Sequence, residues 1–248
     1  MPVLTPPAEA GLIGVGSLIQ HLPTDTTATL WGTGLIHDER VDLPGATTLA
    51  LRGEMTRDRL GSPAVEALGD PGLLIADSIR RTGASHDVGV VVHYVHADDE
   101  HLRAMIARYS GSLLVIDVAQ SPEAVARQVA SCRAIVSTSL HGVITADSLG
   151  VPATWVRMPR ALAGGDFKFH DHETVVRPPR GRGVDIGDVA SLEELVAGAV
   201  AADAGAVRRA KEGLRATARR IPEVTDSRRV RTWQVPVVGR GRPVHPYV

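Results

Sequence analysis

Two hydrophobic rhythms run along the chain. Between Val88 and Val156, short and nearly unbroken β-branched runs alternate with segments whose apolar residues recur every three to four positions. Val88–Val92, Leu113–Ile116, Ala134–Val136 and Ala153–Val156 read as strands covered on both faces. Between them the spacing predicts a helix from Asp99 to Arg108, with Leu102, Met105 and Ile106 inward. A second helix is opened by Ser121 and Pro122, with Val125 and Val129 inward, and a third opens near Ser139, where Leu140, Val143, Ile144 and Ser148 share a side. Strand and helix alternating at this spacing predict a parallel sheet with helices on both faces.

The first half of the chain is less regular. Leu12–Gly16 reads as a strand ending in a tight turn, or as a strand-to-helix loop lining a cleft. Ala28–Gly34 and Thr47–Leu51 are further short strands, and Val65 onward is a strand delivered into Gly69-Asp-Pro-Gly72. Met55, Arg59 and Leu60 share helical spacing, with Thr56 as a candidate cap. Beyond Val156, Arg157 to Asp171 reads as a polar loop, Glu173–Val176 as a short strand, and Val184–Ile186 as another. Ser191-Leu-Glu-Glu194 is a capping box opening a helix to Val200. A second helix spans Asp203 to Arg220 and is ended by Pro222. The polar piece Asp77–Asp87 is the best linker, which divides the chain into 1–78, 88–200, and a C-terminal helix and tail, 201–248. The tail, with Trp233 and Tyr247, is either an extended strand on the body or loose.

Composition narrows the classes. The 248 residues suffice for one full core or two small ones, and the formal net charge of -1 gives no global case for nucleic acid. The charge is skewed, however. From Ala206 onward Arg208, Arg209, Lys211, Arg215, Arg219, Arg220, Arg228, Arg229, Arg231, Arg240 and Arg242 face only Glu212, Glu223 and Asp226. That skew suits anionic glycans, an acidic partner, peripheral contact with the inner face of a membrane, or solubility. The lone Cys132 sits in an apolar strand, which fits a buried residue in a reducing compartment. No leader pattern and no run of membrane-spanning length is seen, so a cytoplasmic protein is expected.

The candidate chemistry collects at strand ends. The stretch Ser137-Thr-Ser-Leu-His-Gly142 feeds a strand into a helix whose first amides suit a carboxylate or phosphate. His141, in that first turn, can move a proton near neutral pH. Gly32 and Gly34 permit close backbone approach to a ligand, or make a plain turn. Arg52 ends a strand where open α/β sheets place ligand-binding groups, or it pairs locally with Glu54 or Asp58. Asp70 fixes its own turn or binds a substrate hydroxyl. His93 closes a strand or joins the site. Arg157 and Lys168 lie on the functional rim with His170 and His172. His170, Asp171 and His172 have no third partner of clear metal-ligand spacing, so no metal is expected.

The ordered set Gly14-Val-Gly-Ser17, Trp31-Gly-Thr-Gly34, Leu51-Arg-Gly-Glu-Met-Thr-Arg57, Leu68-Gly-Asp-Pro-Gly-Leu-Leu74, Val92-His-Tyr94 and Cys132-Arg-Ala-Ile-Val-Ser-Thr-Ser-Leu-His-Gly142, followed by Gly150-Val-Pro152, resembles the polysaccharide pyruvyl transferase family. The resemblance covers Leu12 to Pro159 and continues in Gly164-Gly-Asp-Phe-Lys-Phe169. It implies a GT-B-like α/β architecture of two Rossmann-like lobes with parallel sheets. Members begin with a further strand and an Asn-Phe-Gly-Asp-like segment; this chain starts after that place, so the expectation is a minimal, shortened first lobe, a shortened paralogue, or a true start upstream of this one. Val92 stands where members often have Pro.

The implied reaction moves the enolpyruvyl unit of phosphoenolpyruvate onto two hydroxyls of a sugar in a glycan or glycan precursor, free or lipid-linked, and releases phosphate. No cofactor is expected beyond that donor. The resemblance maps His141, Arg52 and Asp70 onto motif positions, with His141 as the proton carrier; Gly53, Thr56, Gly69 and Pro71 belong to the same motifs. Gly32, Gly34, Thr56, His93, Ser137, Ser139, Gly142, Arg157 and Lys168 are the expected substrate-binding set. A glycosyltransferase with a nucleotide-sugar donor and a non-catalytic glycan- or partner-binding paralogue are the alternative readings.

Overall fold

The computed structural model describes residues 9–79 and 83–224. Two parallel sheets account for the strands. The first holds β1 (Leu12–Ile13), β2 (Thr29–Thr33), β3 (Thr47–Leu51) and β4 (Ala67–Leu68), side by side in chain order. The second holds β5 (His86–Val91), β6 (Leu113–Ile116), β7 (Cys132–Ser137), β8 (Ala153–Arg157) and β9 (Gly183–Asp185), in the order β6-β5-β7-β8-β9. This is the expected α/β architecture of two Rossmann-like parallel sheets.

The second sheet follows its sequence closely. Val88, Val90, Val136 and Val156 face α2 (Glu100–Arg108) and α6 (Leu192–Ala197). Val91, Ile135 and Trp155 face the other way, onto α3 (Pro122–Ala130), α4 (Leu140–Leu149) and α5 (Phe167–Val176). Alternation along buried strands thus serves two helical layers. The helix starts are chemically marked: the side chains of Asp99 and Ser121 accept from Leu102 N at 2.8 Å and Ala124 N at 3.2 Å. Gly150, at φ 68°, closes α4 in the left-handed region that glycine enters without strain.

The two sheets share a core. A 3-10 segment, Pro71–Asp77, packs against α3, α4 and β2, and Leu73 joins Ala50 and Ala67 of the first sheet to Val91 of the second and Ile144 of α4. α7 (Ala204–Ala218) then reaches back to the first sheet. Its Val207, Ala210 and Leu214 complete the shared cluster, and Trp31 Nε1 donates to Thr217 Oγ1 at 3.0 Å. The opposite face of the first sheet is covered by Ile19, Leu22, Leu35 and, from α5, Phe167.

Several local expectations give way to tertiary packing. Glu173–Val176 is not a strand but the end of α5. The β-branched Thr174-Val175-Val176 run is overruled because Phe169 stacks on Trp155 at 4.5 Å and Val176 enters the same core about two turns further along that helical face. Thr56 does not cap: α1 (Glu54–Arg59) starts from Gly53, and Thr56 lies inside its first turn. α6 stops at Ala197, since Val200 bridges to Ala153 as an antiparallel edge contact. Pro222 falls at the start of a short helix, α8 (Ile221–Val224), where its missing N–H is tolerated. The expected tail arginines from Arg228 onward, with Trp233 and Tyr247, and part of the linker, 80–82, lie outside the described residues.

Gly53 shows how tightly the sheets meet. A Cβ there would stand 2.0 Å from the Asp171 carbonyl oxygen on α5. Gly53→Ala is therefore expected to destabilise the protein by about 1–3 kcal/mol, the usual range for overpacking, read as a lowered urea midpoint with unchanged slope.

Candidate functional site

The strand order of the second sheet reverses direction at β5: the chain leaves β5 toward β6 and returns to β7 on its other side. Such a reversal opens a crevice beyond the carboxyl ends of the two strands, where open α/β sheets bind ligands. The ends of β5 and β7 are tied together there. Thr138 N donates to Val91 O at 3.0 Å, and His93 N donates to Thr138 Oγ1 at 2.8 Å. His93 Nδ1 accepts from Val95 N at 3.2 Å, and its ring lies 4.5 Å from that of Tyr94. His93 is thus on the crevice rim, its Nδ1 engaged in its own turn.

The turn into α4 is built from Ser137 and Gly142. Ser137 Oγ accepts from Ser139 N at 3.0 Å and lies 2.8 Å from Ser139 O. A Cβ on residue 142 would stand 2.4 Å from that hydroxyl, so glycine lets the helix begin directly over the turn. Both residues are buried and hold the backbone in place. Ser139 is the N-cap but makes no side-chain cap bond, which leaves the first amides of α4 without a side-chain acceptor. His141 stands beside them with its side chain 49% exposed.

From the first sheet, Asp70 comes to meet it. Gly69, at φ 145°, donates to Leu51 O at 2.8 Å and turns the chain out of β4. Asp70 Oδ1 then accepts from Gly72 N at 2.8 Å, which opens the 3-10 segment at Pro71. Asp70 Oδ2 is buried with no hydrogen-bond partner and lies 3.9 Å from His141 Nε2. That gap exceeds a hydrogen bond, and catalytic contacts are commonly this long before a substrate tightens them. Glycines admit the segment. A Cβ on Gly72 would stand 3.0 Å from Ile144 Cγ2, and one on Gly32, at φ 80°, 2.3 Å from Pro71 Cδ. The close approach expected at Gly32 is made, but by Pro71.

Arg52 is elsewhere. It is fully buried, and its Nε donates to Asp171 Oδ2 at 2.8 Å, another nitrogen to Leu35 O at 2.6 Å and a third to Ser17 Oγ. Asp171 also accepts from Thr56 N at 2.8 Å and Thr56 Oγ1 at 2.7 Å. Gly34 makes room for this guanidinium, since a Cβ there would stand 2.4 Å from Arg52 Cζ. The local pairing with Glu54 or Asp58 does not occur. Arg52, Thr56 and Gly34 form a joint between the sheets, with every polar group directed at protein.

The remaining rim residues divide. Arg157 pairs with Asp166 and covers the Trp155 ring, its guanidinium carbon 4.9 Å from the centroid. Lys168 is buried, with Nζ donating to Ala163 O at 3.2 Å; burial first, and Arg52 second, push its ammonium down to about 8. His170, Asp171 and His172 diverge around α5. His170 faces Glu173 at 3.7 Å on the surface, Asp171 faces Arg52, and His172 Nε2 reaches Asp147 Oδ2 at 2.9 Å in the core. Three residues pointing apart in this way do not share one ion.

Asp171, Asp147, Arg182 and His96 carry weight that no spacing announced. Arg182 clamps Asp147 at 2.6 and 3.1 Å and bonds Glu173 at 3.0 Å. Burial alone would lower its pKa, but Asp147 and Glu173 outweigh burial and raise it. Lone charges scattered through polar segments reveal such partners only when the chain is folded.

A parallel two-sheet α/β protein with a buried carboxylate 3.9 Å from a half-exposed imidazole is thereby defined. Residues 40–158 match the model of the polysaccharide pyruvyl transferase family, so the resemblance carried by the motifs is shown over that segment. The segment includes Arg52, Asp70, His93 and His141. The chain is also 34% identical over 172 residues to an uncharacterized protein of Acanthamoeba polyphaga mimivirus; the match takes in 65% of this chain and spans 58% of that relative's length. Among the described residues no helix is long and apolar enough to cross a membrane.

The buried ammonium gives a pH test. Between about 8 and the ordinary 10.5, the unfolded chain holds a proton on Lys168 that the folded chain has lost. Stability therefore rises with pH across that window. Urea unfolding from pH 7.5 to 10 should show the wild type gaining on Lys168→Met as pH increases.

Proposed function

We propose that the protein is a ketal pyruvyl transferase that moves the enolpyruvyl group of phosphoenolpyruvate onto two hydroxyls of a sugar. The observation that carries this reading is the approach of His141 to the unpartnered, buried Asp70 Oδ2 at the start of α4. A carboxylate beside Nε2 favours the tautomer with its proton there, leaving the Nδ1 lone pair to exchange protons with substrate. The uncapped amides at the start of α4 suit the donor's carboxylate or phosphate.

The proton balance is simple. The enol methylene gains one proton and becomes methyl, which makes the central carbon electrophilic. One sugar hydroxyl attacks that carbon and loses its proton to His141, replacing the one the imidazole delivered. The second hydroxyl attacks as the carbon–oxygen bond to phosphate breaks, and its proton leaves on the phosphate. His141 acts as acid and then base, roles that typically contribute about 10²–10⁴ in rate. Asp70 orients the ring, as in other acid–imidazole pairs.

Incubation with phosphoenolpyruvate and β-linked galactose or mannose acceptors should release phosphate and add the mass of a pyruvate ketal to the sugar. His141→Ala should lower kcat by about 10²–10⁴, and Asp70→Asn by less, with KM for the donor little changed. Phosphate release from no acceptor, together with turnover of a nucleotide sugar, would favour the glycosyltransferase reading instead.

A further inference from the structure

Residues 158–166 cross from one sheet to the other. Met158 is buried in the core of the second sheet against Val156, and Phe167 is buried in that of the first. Between those anchors Pro159, Arg160, Ala161 and Ala163 are exposed. Polar contacts hold the crossing. His96 Nε2 lies 2.8 Å from Arg160 O, and Lys168 Nζ donates to Ala163 O at 3.2 Å. Arg157 and Asp166 pair at its two ends. At Gly164, φ 76°, a side chain would collide with Ile36 O of the first sheet, its Cβ only 1.7 Å away. His96 belongs to the turn after β5 whose His93 amide is tied to Thr138, so the crossing is fastened to the rim of the crevice.

The two fastening side chains are under-partnered. His96 Nδ1 is buried with no hydrogen-bond partner. Lys168 has three ammonium donors, and the neutral carbonyl of Ala163 takes one of them at a long 3.2 Å. An anion is a much stronger acceptor for a buried ammonium than a carbonyl, since charge-assisted bonds are roughly twice as strong. We propose that residues 159–165 form a strap latched by Lys168, and that the anionic donor opens it by taking the Lys168 ammonium from the Ala163 carbonyl. The donor half of this inference rests on the pyruvyl transferase reading; the latch does not. The low basicity of Lys168 agrees with it, because an arriving anion restores the charged form that burial disfavours.

Hydrogen exchange of the full chain, read by mass spectrometry over the strap peptides, tests both halves. Saturating phosphoenolpyruvate should speed strap exchange in the wild type by about tenfold, the equivalent of one hydrogen bond to a charged group. Lys168→Met should exchange fast without donor, respond no further, and bind phosphoenolpyruvate about tenfold more weakly by calorimetry. Lys168→Gln, which keeps a donor for Ala163 but no charge, should stay slow with and without donor. An unchanged strap in the donor-saturated wild type, or ligand-free Lys168→Met exchanging like wild type, overturns the proposal. Should inorganic phosphate open the strap while phosphoenolpyruvate does not bind, the latch stands and the pyruvyl transferase reading falls.

Discussion

The ion pair between Arg52 and Asp171 is the constraint around which the two sheets are arranged. Neither side chain is exposed, and they come from opposite sides of the joint: the end of β3 and the middle of α5. Removing two charges from water costs several kcal/mol each, and the loss is recovered only where the remaining donors and acceptors are also matched. Here Ser17, Leu35 and Thr56 complete the set. Breaking such a pair from one side typically costs about 3–5 kcal/mol, because the survivor is left charged and buried. The small residues around it follow from this, since Gly34 and Gly53 leave no Cβ where the guanidinium and α5 must pass.

A second cross-sheet pair, after the ends of β4 and β7, is built in the opposite manner. Asp70 and His141 approach without bonding, one carboxylate oxygen is left unsatisfied, and the imidazole is half open to solvent. Buried polar atoms in folded proteins nearly always find partners, and Asp70 Oδ2 departs from that rule beside a titratable ring. The satisfied pair fixes the distance between the sheets. The unsatisfied pair inherits that distance.

Sequence reading went far where the cause was local. The alternation of Val88–Val92 with the Leu102–Ile106 face, the Ser121-Pro122 start and the turn at Ser139 are decided by neighbouring residues, and all stand in the structure. The motif set names both Asp70 and His141, but no spacing brings them together, since 71 positions separate them. Arg52 was the harder case. Its place at a strand end was legible, but whether its fork met a ligand or a buried carboxylate depended on Asp171, which sequence offered only as one member of a His-Asp-His run. The same limit explains Glu173–Val176, where β-branched composition gave the wrong period until Trp155 supplied a surface for Phe169.

The return of α7 to the first sheet bears on how the molecule is made. Trp31, Ala50 and Ala67 are made long before the helix that covers them, which carries residues 204–218. Until that late helix leaves the ribosome, one apolar side of the first sheet has no lid of its own, and a nascent chain holds an open face for the length of some 150 further residues. Chaperone demand should accordingly persist until α7 is made and fall as Leu214 reaches Gly69.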